Sequence, residues 1–137
     1  NPPTTKNLKM APTIVDTSVF IDFFRGKEIP SFKELLLNNQ ILLSHFVRLE
    51  LLQGVRKKEA EKMEFVLGGL DAVPPQEELF SEAEKILAEA KNHGFRLGIV
   101  DLLIAAESNL TKAPIYSFDV IFRKLSDLKI IEIFETH

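Results

Sequence analysis

The sequence predicts an α/β fold with a short parallel sheet covered on both faces. Short apolar runs, such as Thr13-Ile14-Val15 and Ile41-Leu42-Leu43, alternate with longer segments that place apolar residues at helical spacing. Uniformly apolar strands between helices are the mark of a parallel sheet buried on both sides. The length agrees: 137 residues fit one domain that buries a core without staples.

Taken in order, residues 1–12 read as a flexible N-terminal arm or an artificial leader. They are polar, with Pro2 and Pro3, and Met10 is a candidate natural start. Residues 13–137 read as a single domain. Thr13 to Val15 is the first strand; Asp16-Thr17-Ser18 supplies cap residues, and a helix from Val19 stops at Gly26. Pro30-Ser31 opens a second helix that runs to about Leu37, and Asn38-Asn39 closes it. Ile41 to Leu43 is the next strand, and Ser44 caps a helix that ends at Gly54. A charged helix over Lys57 to Leu67 ends at Gly68-Gly69, and Asp71 to Val73 forms a third strand before Pro74-Pro75. The longest helix spans Gln76 to Asn92, with Leu79, Phe80, Ala83, Ile86, Leu87 and Ala90 on one stripe and Gly94 after it. Asp101 begins a helix, Leu102 to Leu110, apolar enough to be central. Pro114 to Ser117 is a fourth strand, Asp119 to Leu125 a short helix, and Ile130 to Phe134 a last strand. No internal repeat or linker divides the chain.

Composition narrows the chemistry. Hydrophobic residues at 45% and charged residues at 27% describe a soluble globular chain rather than a disordered one. With no cysteine, disulfide frameworks, thiolate zinc sites and cysteine nucleophiles are excluded, which suits a cytoplasmic protein. No apolar run approaches the roughly 20 residues of a membrane span, and the first ten residues lack a signal peptide's apolar segment. Net charge is −3, but with four carboxylates set aside for a metal the remainder carries +1. Arg25 with Lys27, Arg56-Lys57-Lys58, Arg96, and Arg123 with Lys124 are local basic groups whose simplest reading is a solvated helix face. Overall charge therefore leaves a nucleic-acid partner open.

Four carboxylates carry the functional signal: Asp16, Glu50, Asp101 and Asp119. Each lies where a mostly apolar segment ends or a helix begins, beside residues that must be buried. Carboxylates brought together repel unless a divalent cation lies between them, and a hard cation held by oxygen points to phosphate chemistry. Asp16 and Asp119 fall at or just past strand ends, where ligands bind in parallel α/β sheets. One or two Mg²⁺ or Mn²⁺ ions could then serve phosphodiester hydrolysis without a His or Cys nucleophile. The competing reading is that Asp16 and Asp119 are plain N-caps and Asp101 a first-turn acid. Glu50 resists it, since Leu49, Leu51 and Leu52 place it near the core with nothing to cap. Thr17 and Ser117 are read as hydroxyls supporting the carboxylates, Ser18 as a cap, and Asp22 as the polar side of its helix. His45, His93 and His137 lack zinc-ligand spacing, and the eleven phenylalanines point to core packing more than base stacking.

With these residues placed, the chain resembles the PIN-domain ribonucleases, and within them the VapC toxins of bacterial and archaeal toxin–antitoxin pairs. The resemblance spans Thr13 to Phe134. It is carried by Ile14 to Gly26, Leu49 to Val55, Asp101 to Ala106 and Ser117-Phe118-Asp119, in the family's order and spacing. It implies a Rossmann-like α/β/α sandwich with Asp16, Glu50, Asp101 and Asp119 binding Mg²⁺ or Mn²⁺ for RNA cleavage. It also implies a homodimer and a VapB-like antitoxin. That antitoxin would lay an Arg or Lys among the four carboxylates and cover exposed Phe and Leu along Phe20 to Phe24 and Phe46 to Val55. The family often has Thr where Ser117 stands, which keeps the hydroxyl, and often a further acid where Val120 and Ile121 stand. Three other readings compete. A silent PIN-like interaction module should have lost a carboxylate. A phosphoacceptor domain wants paired acids near the first strand and a late strand-end Lys. A PIN nuclease of RNA processing would lack an antitoxin gene beside it.

Overall fold

Four strands form one parallel sheet in the order β3-β2-β1-β4: β1 (Thr13–Val15), β2 (Ile41–Leu43), β3 (Asp71–Ala72) and β4 (Ile115–Tyr116). The structure, a computed structural model, describes residues 12–136, so the expected arm over residues 1–11 and His137 lie outside the described residues. Every residue of β1, β2 and β4 is buried. Successive strand side chains point to opposite faces, so complete burial means that both faces are covered, as the apolar runs predict. Pairing is tight at the centre: Ile14 lies opposite Leu42 on one side and Ile115 on the other.

Seven α-helices connect and cover the strands among the described residues: α1 (Thr17–Phe24), α2 (Pro30–Leu37), α3 (His45–Gly54), α4 (Ala60–Gly68), α5 (Leu79–Asn92), α6 (Ile99–Thr111) and α7 (Val120–Asp127). Local chemistry sets their ends. Pro30 occupies the first turn of α2, where its missing N–H is not needed. Gly26 takes φ 93° just past α1, a left-handed turn that a side chain would strain. Ser44 Oγ caps α3 by accepting the Phe46 and Val47 amides at 3.1 and 3.4 Å. Ser44 also bonds Glu107 of α6, a carboxyl buried to 3% exposure whose Oε1 has no partner among the described residues. Burial pushes that carboxyl above its ordinary 4.5, against the Ser44 bond and the field of His45. The core is one cluster about Ile14, Phe20, Phe32, Ile86, Ile104 and Phe122, with Phe20 and Phe32 edge-on at 5.5 Å.

Several expected elements differ in extent. The charged helix is split into a 3₁₀ turn, Lys57–Glu59, and α4, because Arg56 pairs with Glu59 at 2.7 Å across that turn. The longest helix begins at Leu79 rather than Gln76, whose side chain turns back to the Pro74 carbonyl at 2.9 Å. Its buried stripe narrows to Ala83, Ile86 and Ala90, leaving Phe80 and Leu87 exposed. The last strand shrinks to one parallel bridge, Ile133 with Ile115, since β4 is only two residues long.

Candidate active site

The chain runs from β1 through β2 to β3 on one side, then returns to place β4 on the other side of β1. The switch point thus lies between the carboxyl ends of β1 and β4, the position where parallel α/β sheets bind ligands. Asp16 follows β1 there, and Ser117 and Asp119 follow β4; the Asp16 amide donates to the Tyr116 carbonyl at 2.8 Å.

Asp16 is 6% exposed and holds the N-cap position of α1, but its side chain makes no capping bond. Instead Ser117 and Ser18 donate to its Oδ2 at 2.7 and 3.0 Å. Both bonds fall on one oxygen and neither uses Oδ1. Ser18 in turn accepts the Phe118 amide at 3.0 Å, and Ser117 accepts the Asp119 amide at 2.9 Å. Ser18 therefore does not serve as the expected cap: it lies two residues past the N-cap position and ties the β1 end to the loop after β4. A serine two residues into a helix carries no sequence signal for such a role.

Glu50 corrects another expectation. It is exposed, because α3 buries only Val47 and Leu51, and its neighbour Leu49 is 63% exposed. What holds Glu50 is Thr17, whose Oγ1 donates to Glu50 Oε1 at 2.5 Å, the short distance of a charge-assisted bond. Asp101 does not start its helix; Gly98 is the N-cap and Asp101 lies in the first turn of α6, its Oδ2 3.7 Å from where a Gly98 Cβ would sit. Asp119 combines both readings, since it caps α7 through the Ile121 amide at 3.0 Å and still lies beside the others.

Their mutual proximity registers on Asp101. Burial, then the negative fields of Asp16, Asp119 and Glu50, push its carboxyl from 3.8 up to about 6. Among the described residues no three acidic or histidine side chains are drawn close enough to enclose an ion as they stand. The donor set nevertheless suits a hard divalent cation, being all carboxylate oxygen at the margin of a core. Asp22 pairs with Lys27 at 3.4 Å on the outside of α1, and His45 and His93 are exposed. The Phe20 and Phe24 rings are buried and offer a partner nothing, whereas Leu49 and Leu52 of α3 are open. Among the described residues no helix is long and apolar enough to cross a membrane.

Fold and site together define an α/β domain with an acidic centre at its switch point. A model of the PIN domain matches residues 13–128, and the chain belongs to that family, whose members are nucleases. No curated protein sequence matches it. Its fold is similar to a chain in the crystal structure of DNA-bound VapBC from Salmonella typhimurium, with TM-score 0.77 and 19% identity over 91% of this chain and 98% of that one. It is also similar to VapBC2 from Rickettsia felis bound to a promoter DNA fragment, with TM-score 0.76 and 18% identity over 89% and 96% of the two chains. FitAcB from Neisseria gonorrhoeae gives TM-score 0.68 and 18% identity over 90% and 96%.

Proposed function

We propose that the protein is a metal-dependent endoribonuclease, the toxin of a toxin–antitoxin pair. The observation that carries this is Asp101 lying within the fields of Asp16, Glu50 and Asp119 at the sheet's switch point. In this reading Asp16, Glu50, Asp101 and Asp119 hold Mg²⁺ or Mn²⁺. The bound cation supplies Lewis acidity toward water and toward a phosphodiester oxygen. The chain's own part is placement. Ser18 and Ser117 fix the Asp16 carboxylate, Thr17 fixes Glu50, and the loop from Ser117 to Asp119 is bonded from both sides. Asp101, its carboxyl raised to about 6, is mostly ionised by neutral pH and open to a cation there.

The toxin role draws support from neighbours of similar fold that occur in VapBC and FitAcB complexes. The partner in this reading is a VapB-like antitoxin, which inserts a basic residue among the carboxylates and covers Leu49 and Leu52. A homodimer belongs to the same reading; the exposed Phe80 and Leu87, two turns apart on α5, would be covered by a second copy. The cytoplasm is the matching location.

The test is cleavage of single-stranded RNA with Mn²⁺, with Mg²⁺ and with excess chelator. Attack by water leaves 5′-phosphate and 3′-hydroxyl ends. Products ending in 2′,3′-cyclic phosphate, or full activity in chelator, would show that the mechanism is wrong.

A further inference from the structure

Phe118 stands between Ser117 and Asp119, yet it is 50% exposed in a chain whose other central phenylalanines, Phe20, Phe32 and Phe122, are buried. Its position is fixed. The backbone amide is bonded to Ser18, and the next amide, that of Asp119, to Ser117. On one side the ring lies edge-on to Tyr116 at 5.8 Å and 88°, and Tyr116 leans on Phe134 at 5.0 Å. An aromatic ring carried on a hydrogen-bonded backbone at the rim of an acidic centre, and half exposed, is placed to receive something flat.

Beside it lies a cleft of about 120 Å³ lined by Tyr116, Phe118, Asp119, Phe122, Arg123 and Phe134. That is far below the roughly 300–1,000 Å³ of sites for drug-sized ligands, and suits one planar base rather than a whole nucleotide. Its walls differ in chemistry: aromatic at Phe118 and Phe134, cationic at Arg123. The Arg123 guanidinium reaches both Glu135 oxygens at 3.3 Å, but both side chains are more than half exposed. Such a pair holds its partners weakly, so a phosphate can take the place of Glu135.

We infer that this cleft takes one unpaired nucleobase of the RNA, stacked on Phe118, with Arg123 on the phosphate of the same nucleotide. The inference rests on the ribonuclease reading above and adds a substrate subsite to it. A protein covering this rim would have to bury the Arg123 guanidinium along with the ring, and desolvating that charge is costly. A nucleotide meets the ring with its base and the guanidinium with its phosphate. Stacking accepts any base, because every base has a π-face, so this subsite fixes the strand rather than reads its sequence.

The experiment uses the full chain with Mn²⁺ and single-stranded RNA oligomers carrying one abasic nucleotide, moved stepwise past the cleaved bond. In the wild type, one abasic position next to that bond raises KM about tenfold, at the lower end of what base–aromatic stacking gives. Phe118→Leu keeps an apolar side chain without a π-face. It cleaves the intact oligomer with KM already raised, and its abasic penalty falls to under about twofold. Phe118→Trp keeps the penalty. Arg123→Gln weakens binding of all oligomers alike and lowers the salt slope by about one. An abasic penalty as large in Phe118→Leu as in the wild type overturns the subsite while leaving the nuclease reading intact. If the wild type cleaves no intact oligomer with either metal, the nuclease reading falls and the subsite with it.

Discussion

Thr17 donates its hydroxyl to Glu50 at 2.5 Å, joining the first turn of α1 to the middle of α3 across 33 residues of sequence. Glu50 is exposed and long, so without this bond its carboxylate would sample many rotamers. Groups that orient a metal-seeking carboxylate typically carry about 10–100-fold of metal affinity or activity. Thr17→Val should therefore lower Mn²⁺-dependent RNA cleavage about tenfold with little change in melting temperature. Thr17→Ser, which keeps the hydroxyl, should restore most of it. Equal activity in all three proteins would show that Glu50 needs no such partner.

Ser18 offers a second check, because it touches three groups of the site. Ser18→Ala removes a bond to Asp16 and the acceptor of the Phe118 amide. The expected outcome is a loss of cleavage at saturating metal comparable to that of Thr17→Val, with a destabilisation of about 1 kcal/mol from the lost hydrogen bonds. A helix-capping role would instead lower stability and leave cleavage per folded molecule unchanged.

For Asp101 the sign follows from a carboxyl raised from 3.8 to about 6. The folded state binds this proton more tightly than the unfolded one, so stability is full below pH 3.8 and falls as pH rises through 6. Without metal, Asp101→Asn should raise the melting temperature at pH 7.5 by about 3 °C, roughly 1 kcal/mol once partial exposure is discounted. At pH 4 the variant should match the wild type, and at neutral pH it should not cleave RNA. A variant less stable than wild type at pH 7.5 would contradict the argument.

Glu107 makes a related test away from the acidic centre. Its carboxyl is raised above 4.5 by burial, so its ionisation also erodes stability as pH rises beyond that value. Glu107→Gln removes the ionisation and keeps an acceptor for Ser44. Its melting temperature should fall less steeply than that of the wild type between pH 4.5 and 8, as followed by circular dichroism. A parallel decline in both would show that Glu107 does not titrate there.

Inhibition should read the same charges. Adding Mg²⁺ should weaken binding of the antitoxin, because cation and guanidinium compete for the carboxylates, and Asp16→Asn should weaken it further. Leu49→Ser, which removes an apolar side chain 63% exposed on α3, should lower affinity without altering RNA cleavage by the free protein. Calorimetric titration with a candidate antitoxin decides it; indifference to both metal and Leu49 would place docking elsewhere.

Much of this is legible in the sequence. Apolar runs of three residues and the punctuation at Gly26, Ser44, Pro74 and Gly94 gave the element order, because strand burial and helix ends are local chemistry. The carboxylates stood out for the same reason, each lying beside residues that had to be buried. Side-chain direction was harder. Leucines on both sides of Glu50 suggest burial, but α3 packs through Val47, Leu51 and part of Phe46, and only the packing direction reveals that. Ser18 was missed because its partners Asp16, Ser117 and Phe118 meet across a tertiary contact. Phe118 belongs by composition with the core phenylalanines, yet its neighbours leave it half exposed.

The strands that carry this centre are only two or three residues long. At ~3.3 Å per residue the sheet is roughly 10 Å deep, so it serves as a short ruler on which Asp16 is the last mark. One residue inserted in β1 would advance that carboxylate by a pleat and turn it to the opposite face. Such an insertion should abolish activity as surely as Asp16→Asn, although every side chain of the centre is still encoded. The outer turns between helices face no such constraint. Length variation in this chain is therefore expected to gather there, while the steps from Val15 to Asp16 and from Tyr116 to Asp119 stay fixed in length.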